Sequence, residues 1–190
     1  MRKIRKFILH IVYLNIVVSL AIGFLSAGFV YAFQTRYWFL YGVFSFFSTI
    51  AVYNGQRIFK VKDSQPTPWL LWVDKNKKAL FLFSVCCLLV ALNVFLVLPK
   101  TQITLLFFAI TGVISVLYVL EVRGITIRQI PYLKIHLISL SWAVVVVLFP
   151  LTNQPRNVDL WLLSVLFFAH YFYTLAVTIP FDIRDLKHDT

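Results

Sequence analysis

The stretch Asp182-Ile183-Arg184-Asp185-Leu186-Lys187-His188-Asp189 places three carboxylates at i, i+3 and i+7. On an α-helix that spacing stacks all three acids on one face. Like charges on one face repel, so local helix stability does not favour them. A divalent cation, or the phosphates it carries, would make sense of the arrangement. Two other segments could do related chemistry. Tyr53-Asn54-Gly55-Gln56-Arg57 joins two amides to a guanidinium. Arg57 there could grip phosphate as a bidentate donor. The amides could equally serve as hydrogen-bond partners between helices. The segment 118–134 carries Glu121, Arg123, Arg128, Gln129, Tyr132 and Lys134.

The elements that must hold these residues are apolar. Of 190 residues, 61% are hydrophobic and only 13% are charged. A soluble domain is usually about half apolar, which puts this chain in the membrane class. A span needs about 20 mostly apolar residues. Six candidates are read, at about 7–33, 38–56, 79–98, 103–120, 135–152 and 160–181. The expectation is an all-α, polytopic transmembrane helical bundle forming a single domain over 1–190. The basic start Arg2, Lys3, Arg5 and Lys6 precedes an apolar run that continues to Phe33. A cleaved signal peptide has a core of only about 7–15 residues, so this run is read as a membrane helix.

Charge sets the orientation. With the N-terminus inside and six alternating spans, fifteen basic residues face the cytoplasm and only Arg36, Lys100 and Arg156 face outward. That is a strong positive-inside bias. Both ends of the sequence are then cytoplasmic, and the net charge of +11 is a topology signal. Nucleic-acid binding is not needed to explain it. The aspartate stretch and the ends of spans 2 and 4 all face the cytoplasm.

Aromatic residues mark the interfaces. Tyr37, Trp38 and Tyr41 open span 2, and Trp161 opens span 6. The stretch Trp69-Leu70-Leu71-Trp72-Val73 either lies flat on the inner surface or buries its two indoles against its own helices. Cys86 and Cys87 are adjacent in an apolar segment and are read as reduced, not as a bridge or metal site. Pro180 removes a backbone donor just before the acids, so span 6 is expected to kink or fray there.

The motif Asp182-x-x-Asp185-x-x-x-Asp189 resembles the second aspartate-rich motif of the UbiA-type membrane prenyltransferases, which also follows a sixth transmembrane helix on the cytoplasmic side. The resemblance covers the whole chain as the first six of nine family helices, and implies that a C-terminal part is lacking. It implies an integral protein of a bacterial inner membrane, in contact with membrane lipids. It further implies Mg2+ held by Asp182, Asp185 and Asp189, and a polyprenyl diphosphate contacted by Asn54, Arg57 and Lys134. The prenyl group would pass to a hydrophobic or aromatic acceptor, small or lipid-like. One departure stands out. The family's first motif has the form Asn-x-x-x-Asp-x-x-x-Asp, and Asn54 matches its asparagine, but Ile58 and Lys62 stand where the acids belong. Asp63 is one residue out of register, about 100° around a helix.

Polar groups inside spans usually face the bundle interior. His170, Tyr171 and Tyr173 could line the prenyl or acceptor pocket, with His170 alternatively a hydrogen-bonded structural histidine, and Asn15 and Asn93 are expected to hydrogen-bond between helices. His10 and His136 receive no role. Two rival functions remain: a non-catalytic protein of the same fold, and a transporter or channel subunit. None of the seven acids falls inside a predicted span, which weighs against an ion path at the membrane midplane.

Overall fold

The computed structural model describes residues 2–59, 68–117, 121–122, 125–126, 132–152 and 158–189; within these, the side chains of 2–7, 59, 117, 121–122, 125–126, 181–182 and 184–189 are not described. Lys60, Lys62, Asp63, Tyr118, Arg123, Arg128, Gln129 and Arg156 lie outside the described residues. The chain forms two compact units, Met1–Leu98 and Pro99–Thr190. Among the described residues it is helical apart from one hairpin of two-residue strands.

The first unit holds α1 (Arg2–Tyr13), α2 (Ile16–Ala32), α3 (Trp38–Phe59), α4 (Pro68–Lys75) and α5 (Lys77–Val97). The apolar run 7–33 is not one helix. It breaks at Asn15, which sits in the left-handed region at φ 58°, ψ 22°. Asn tolerates that conformation better than other residues with a Cβ. α3 packs between α2 and α5. Its approach to α2 is close because the contact residues are small. A Cβ added at Gly42 would lie 2.8 Å from Ala27 Cβ and 3.0 Å from the Gly23 carbonyl oxygen. Such small-residue contacts let helix backbones pack closely where water-driven burial is absent. Against α5, Ile50, Ala51 and Cys87 form a core flanked by Phe46, Phe47 and Phe83. Cys87 is buried and Cys86 exposed, and both are free.

The 69–73 stretch lies in α4. Leu70 and Val73 are buried, and Trp69 and Trp72 are half-buried beside Ile58, Leu80 and Leu14. Of the two readings of this stretch, the geometry matches the one that packs its indoles against its own helices.

The second unit holds α6 (Gln102–Leu117), β1 (Glu121–Val122) paired antiparallel with β2 (Ile125–Thr126), α7 (Leu133–Ala143), α8 (Phe149–Leu151) and α9 (Leu160–Asp189). A π-helical stretch, Val144–Leu148, joins α7 to α8, and Phe149 N–H donates to the Val144 carbonyl. Pro150 follows directly. Its ring would crowd the carbonyl four residues back, and a wider turn relieves that clash. α9 does not end at Pro180, which lies inside a single helix of 30 residues. At 1.5 Å per residue the helix is about 45 Å long, against about 30 Å for a hydrocarbon core.

Among the described residues, three helices are long and apolar enough to cross a membrane: Lys77–Val97, Leu133–Leu151 and Leu160–Pro180. Ile16–Ala32 and Gln102–Val116 are apolar but shorter. Large apolar side chains are exposed along these helices, including Phe24 at 71%, Leu96 at 71% and Leu160 at 77%. A soluble protein rarely shows so continuous an apolar surface, whereas lipid accepts it at no cost. The chain is a helical membrane protein.

Candidate functional site

The polar end of α3 is built into a joint with the broken end of α1. A helix terminus leaves its last carbonyls without helical partners, and buried ones must find others. Here α3 supplies them. Arg57 Nη1 donates to the Tyr13 carbonyl at 2.6 Å, and Asn54 Nδ2 donates to the Leu14 carbonyl at 3.1 Å. The other end of the Asn54 amide accepts from Asn15 Nδ2 at 2.9 Å. Asn54 is fully buried, and both ends of its amide are occupied, as burial of an amide in apolar surroundings demands. Asn15 thus makes the interhelical bond expected of it. Asn93 does not: its Nδ2 donates to the Leu89 carbonyl of its own helix at 2.8 Å.

Aromatic rings enclose the joint. The Arg57 guanidinium lies 5.1 Å from the centroid of the Trp69 ring. His10 and Tyr13 meet Trp72 with ring centroids 5.5 and 5.4 Å apart. Ile58, where the resembled motif has an aspartate, is buried with Val73 and Leu80. A carboxylate there would be stranded in an apolar cluster.

The second candidate region lies in the second unit. The α9 backbone is helical through Asp182, Asp185 and Asp189, and their side chains lie outside those described. At about 100° per residue the three positions fall within a sector of about 60°. Lys134 is half-buried in the first turn of α7. Among the described residues, no group of three or more His, Cys, Asp or Glu side chains converges.

The three polar aromatics of α9 separate. Tyr171 lines a cavity of about 260 Å³ with His136, Leu137, Leu140, Phe167 and Phe168. Its hydroxyl is 2.6 Å from His136 Nδ1, with the two rings stacked. His170 and Tyr173 are not among the lining residues. The His170 Nε2 atom is buried without a hydrogen-bond partner among the described residues, and Tyr173 is exposed. The His136–Tyr171 pair was not foreseen. Its members are 35 positions apart, and only the packing of α7 on α9 joins them. A larger depression, about 480 Å³, lies at the α2–α3 turn around Gln34, Thr35 and Arg36.

No protein-family model, curated protein or solved structure matches the chain.

Proposed function

We propose that this chain is a six-span membrane protein of prenyltransferase type, with its cation and diphosphate site built on the second unit. Asp182, Asp185 and Asp189 would hold Mg2+, and Lys134 would add fixed positive charge toward the diphosphate. The observation that supports this most is the continuity of α9, whose helix runs through Pro180 to Asp189 and so keeps the three acid positions in one sector. A donor set of carboxylates suits a hard cation that keeps several waters and takes further oxygens from phosphate. When bound, Mg2+ neutralises charge on the diphosphate leaving group. The residues of the chain would orient that group at the membrane surface, and the apolar helices would hold the prenyl tail away from water. The acceptor would be small or lipid-like.

A second reading, a non-catalytic protein of the same type, is favoured by one specific observation. The residues resembling the first motif serve the fold: Asn54 and Arg57 hold the α1 joint, and Ile58 is core. The two readings part on turnover. Purified protein is incubated with labelled farnesyl diphosphate and a prenyl acceptor, with and without Mg2+, and both binding and transfer of the prenyl group to the acceptor with release of diphosphate are measured. Mg2+-dependent binding with turnover supports transfer, and binding without turnover supports the second reading. No Mg2+-dependent binding would remove the diphosphate site and with it the transfer reading.

A further inference from the structure

On one side of the N-terminal helix the first unit leaves Ile8 and Val12 exposed, with Ile11 half-buried between them. The sequence 7–33 is apolar enough to suggest one long span, yet α1 ends at Tyr13 and α2 begins at Ile16. A left-handed residue just past a helix end turns the chain away from the helix axis. Asn15 has that conformation, and Asn54 and Arg57 of α3 lock it by bonding the freed carbonyls of Leu14 and Tyr13. The break is therefore an anchored elbow.

The charged and most of the apolar positions of α1 fall on opposite sides of its axis, while Leu9 and Tyr13 lie among the charged ones. At about 100° per residue, positions 2, 3, 5, 6 and 10 occupy one side and positions 4, 7, 8, 11 and 12 the other. The first set reads Arg2, Lys3, Arg5, Lys6 and His10, and the second Ile4, Phe7, Ile8, Ile11 and Val12. On the apolar side Ile8 is 54% and Val12 50% exposed. On the other side His10 and Tyr13 meet Trp72 of α4, so this flank makes ring contacts with the rest of the unit. Exposed apolar side chains beside four cations within six residues match the chemistry of an anionic bilayer surface. Acyl chains would take Ile8 and Val12, and headgroup phosphates would take the cations.

We propose that α1 is an interfacial helix that lies along an anionic membrane surface, hinged at Asn15, and is not the first half of a span. The partner is the bilayer itself, chosen by charge: four cations and no acid occur in the first thirteen residues. This proposal does not depend on the diphosphate site.

The test uses the full chain in vesicles, with Cys86→Ser and Cys87→Ser as background. Single cysteines are introduced as Ile8→Cys, Val12→Cys and, on α2, Leu20→Cys, and each is labelled with a spin label. All three positions are exposed, so the labels need not disturb packing. Depth is read with lipid-borne and water-soluble quenchers in phosphatidylcholine, and in phosphatidylcholine with 30% phosphatidylglycerol. Labels at 8 and 12 should share one shallow depth, about 5–10 Å below the headgroups, and the label at 20 should lie deeper. Removing phosphatidylglycerol should raise water access at 8 and 12 several-fold. Changing Arg2, Lys3, Arg5 and Lys6 to Gln should abolish that lipid dependence. A steady gradient of about 1.5 Å per residue through 8, 12 and 20 would show one continuous span and overturn the proposal. So would labels at 8 and 12 that stay in water in both lipids. Labels that are dry but out of reach of lipid quenchers would point to a protein partner and overturn it too.

Discussion

Two helices of this chain end in polar residues, and they end in opposite ways. The last turns of α3 are folded inward: Asn54 is fully buried, Ile58 is core, and Arg57 reaches back to α1. The last turns of α9 run on past Pro180 as helix, and Ile183, the one side chain described beyond it, is 56% exposed. For α3 the reason lies in what the helix end meets. A broken helix offers α3 bare carbonyls, and amide and guanidinium groups satisfy them. Polar residues at a membrane-helix end are therefore not by themselves a ligand site. What decides is whether their hydrogen-bonding capacity is taken up within the fold.

The comparison breaks most easily at Asn54. Asn54→Ala should destabilise the protein by about 2–4 kcal/mol, because it strands the Leu14 carbonyl and the Asn15 amide in a buried joint. Denaturant unfolding in detergent micelles would measure it. Next is Gly42→Ala, whose new methyl would press on Ala27 Cβ at 2.8 Å and on the Gly23 carbonyl oxygen at 3.0 Å. A loss of about 1–3 kcal/mol is expected in the same assay, since neither contact is a flexible side-chain end. Arg57→Lys should cost about 1 kcal/mol. It keeps the charge and loses the planar group that both lies over Trp69 and donates to Tyr13. Smallest of all, Asp182→Asn should shift stability by no more than about 0.5 kcal/mol, as for a residue that serves a ligand and not the packing. A large loss at Asp182 would mean that the end of α9 is structural as well, and the contrast would fail.

Much of the architecture was legible because apolar length is a direct signal. The run read at 38–56 lies within α3 (Trp38–Phe59), that at 79–98 nearly coincides with α5 (Lys77–Val97), and that at 160–181 lies within α9 (Leu160–Asp189). The break at Asn15 was not legible. One asparagine in an apolar run is compatible with an unbroken span, and its left-handed backbone is secured by a residue 39 positions away. The short hairpin Glu121–Val122 with Ile125–Thr126 was likewise hidden in a segment read only as a loop. In the candidate site, the sequence marked Asn54 and Arg57 as polar groups of consequence, and named both an interhelical and a phosphate role for that segment. Spacing along one helix could not choose between them, because the choice depends on the end of α1.

The central claim is that the aspartates of α9, and not the polar end of α3, carry a cation-dependent diphosphate site. The direct measurement is equilibrium binding of labelled farnesyl diphosphate to purified protein, with and without Mg2+, for the unaltered chain, the double variant Asp182→Ala/Asp185→Ala, and Arg57→Lys. Binding should require Mg2+, fall at least tenfold in the double aspartate variant, and change little in Arg57→Lys. Binding that is absent, indifferent to Mg2+, or unchanged by loss of the two aspartates would contradict the claim.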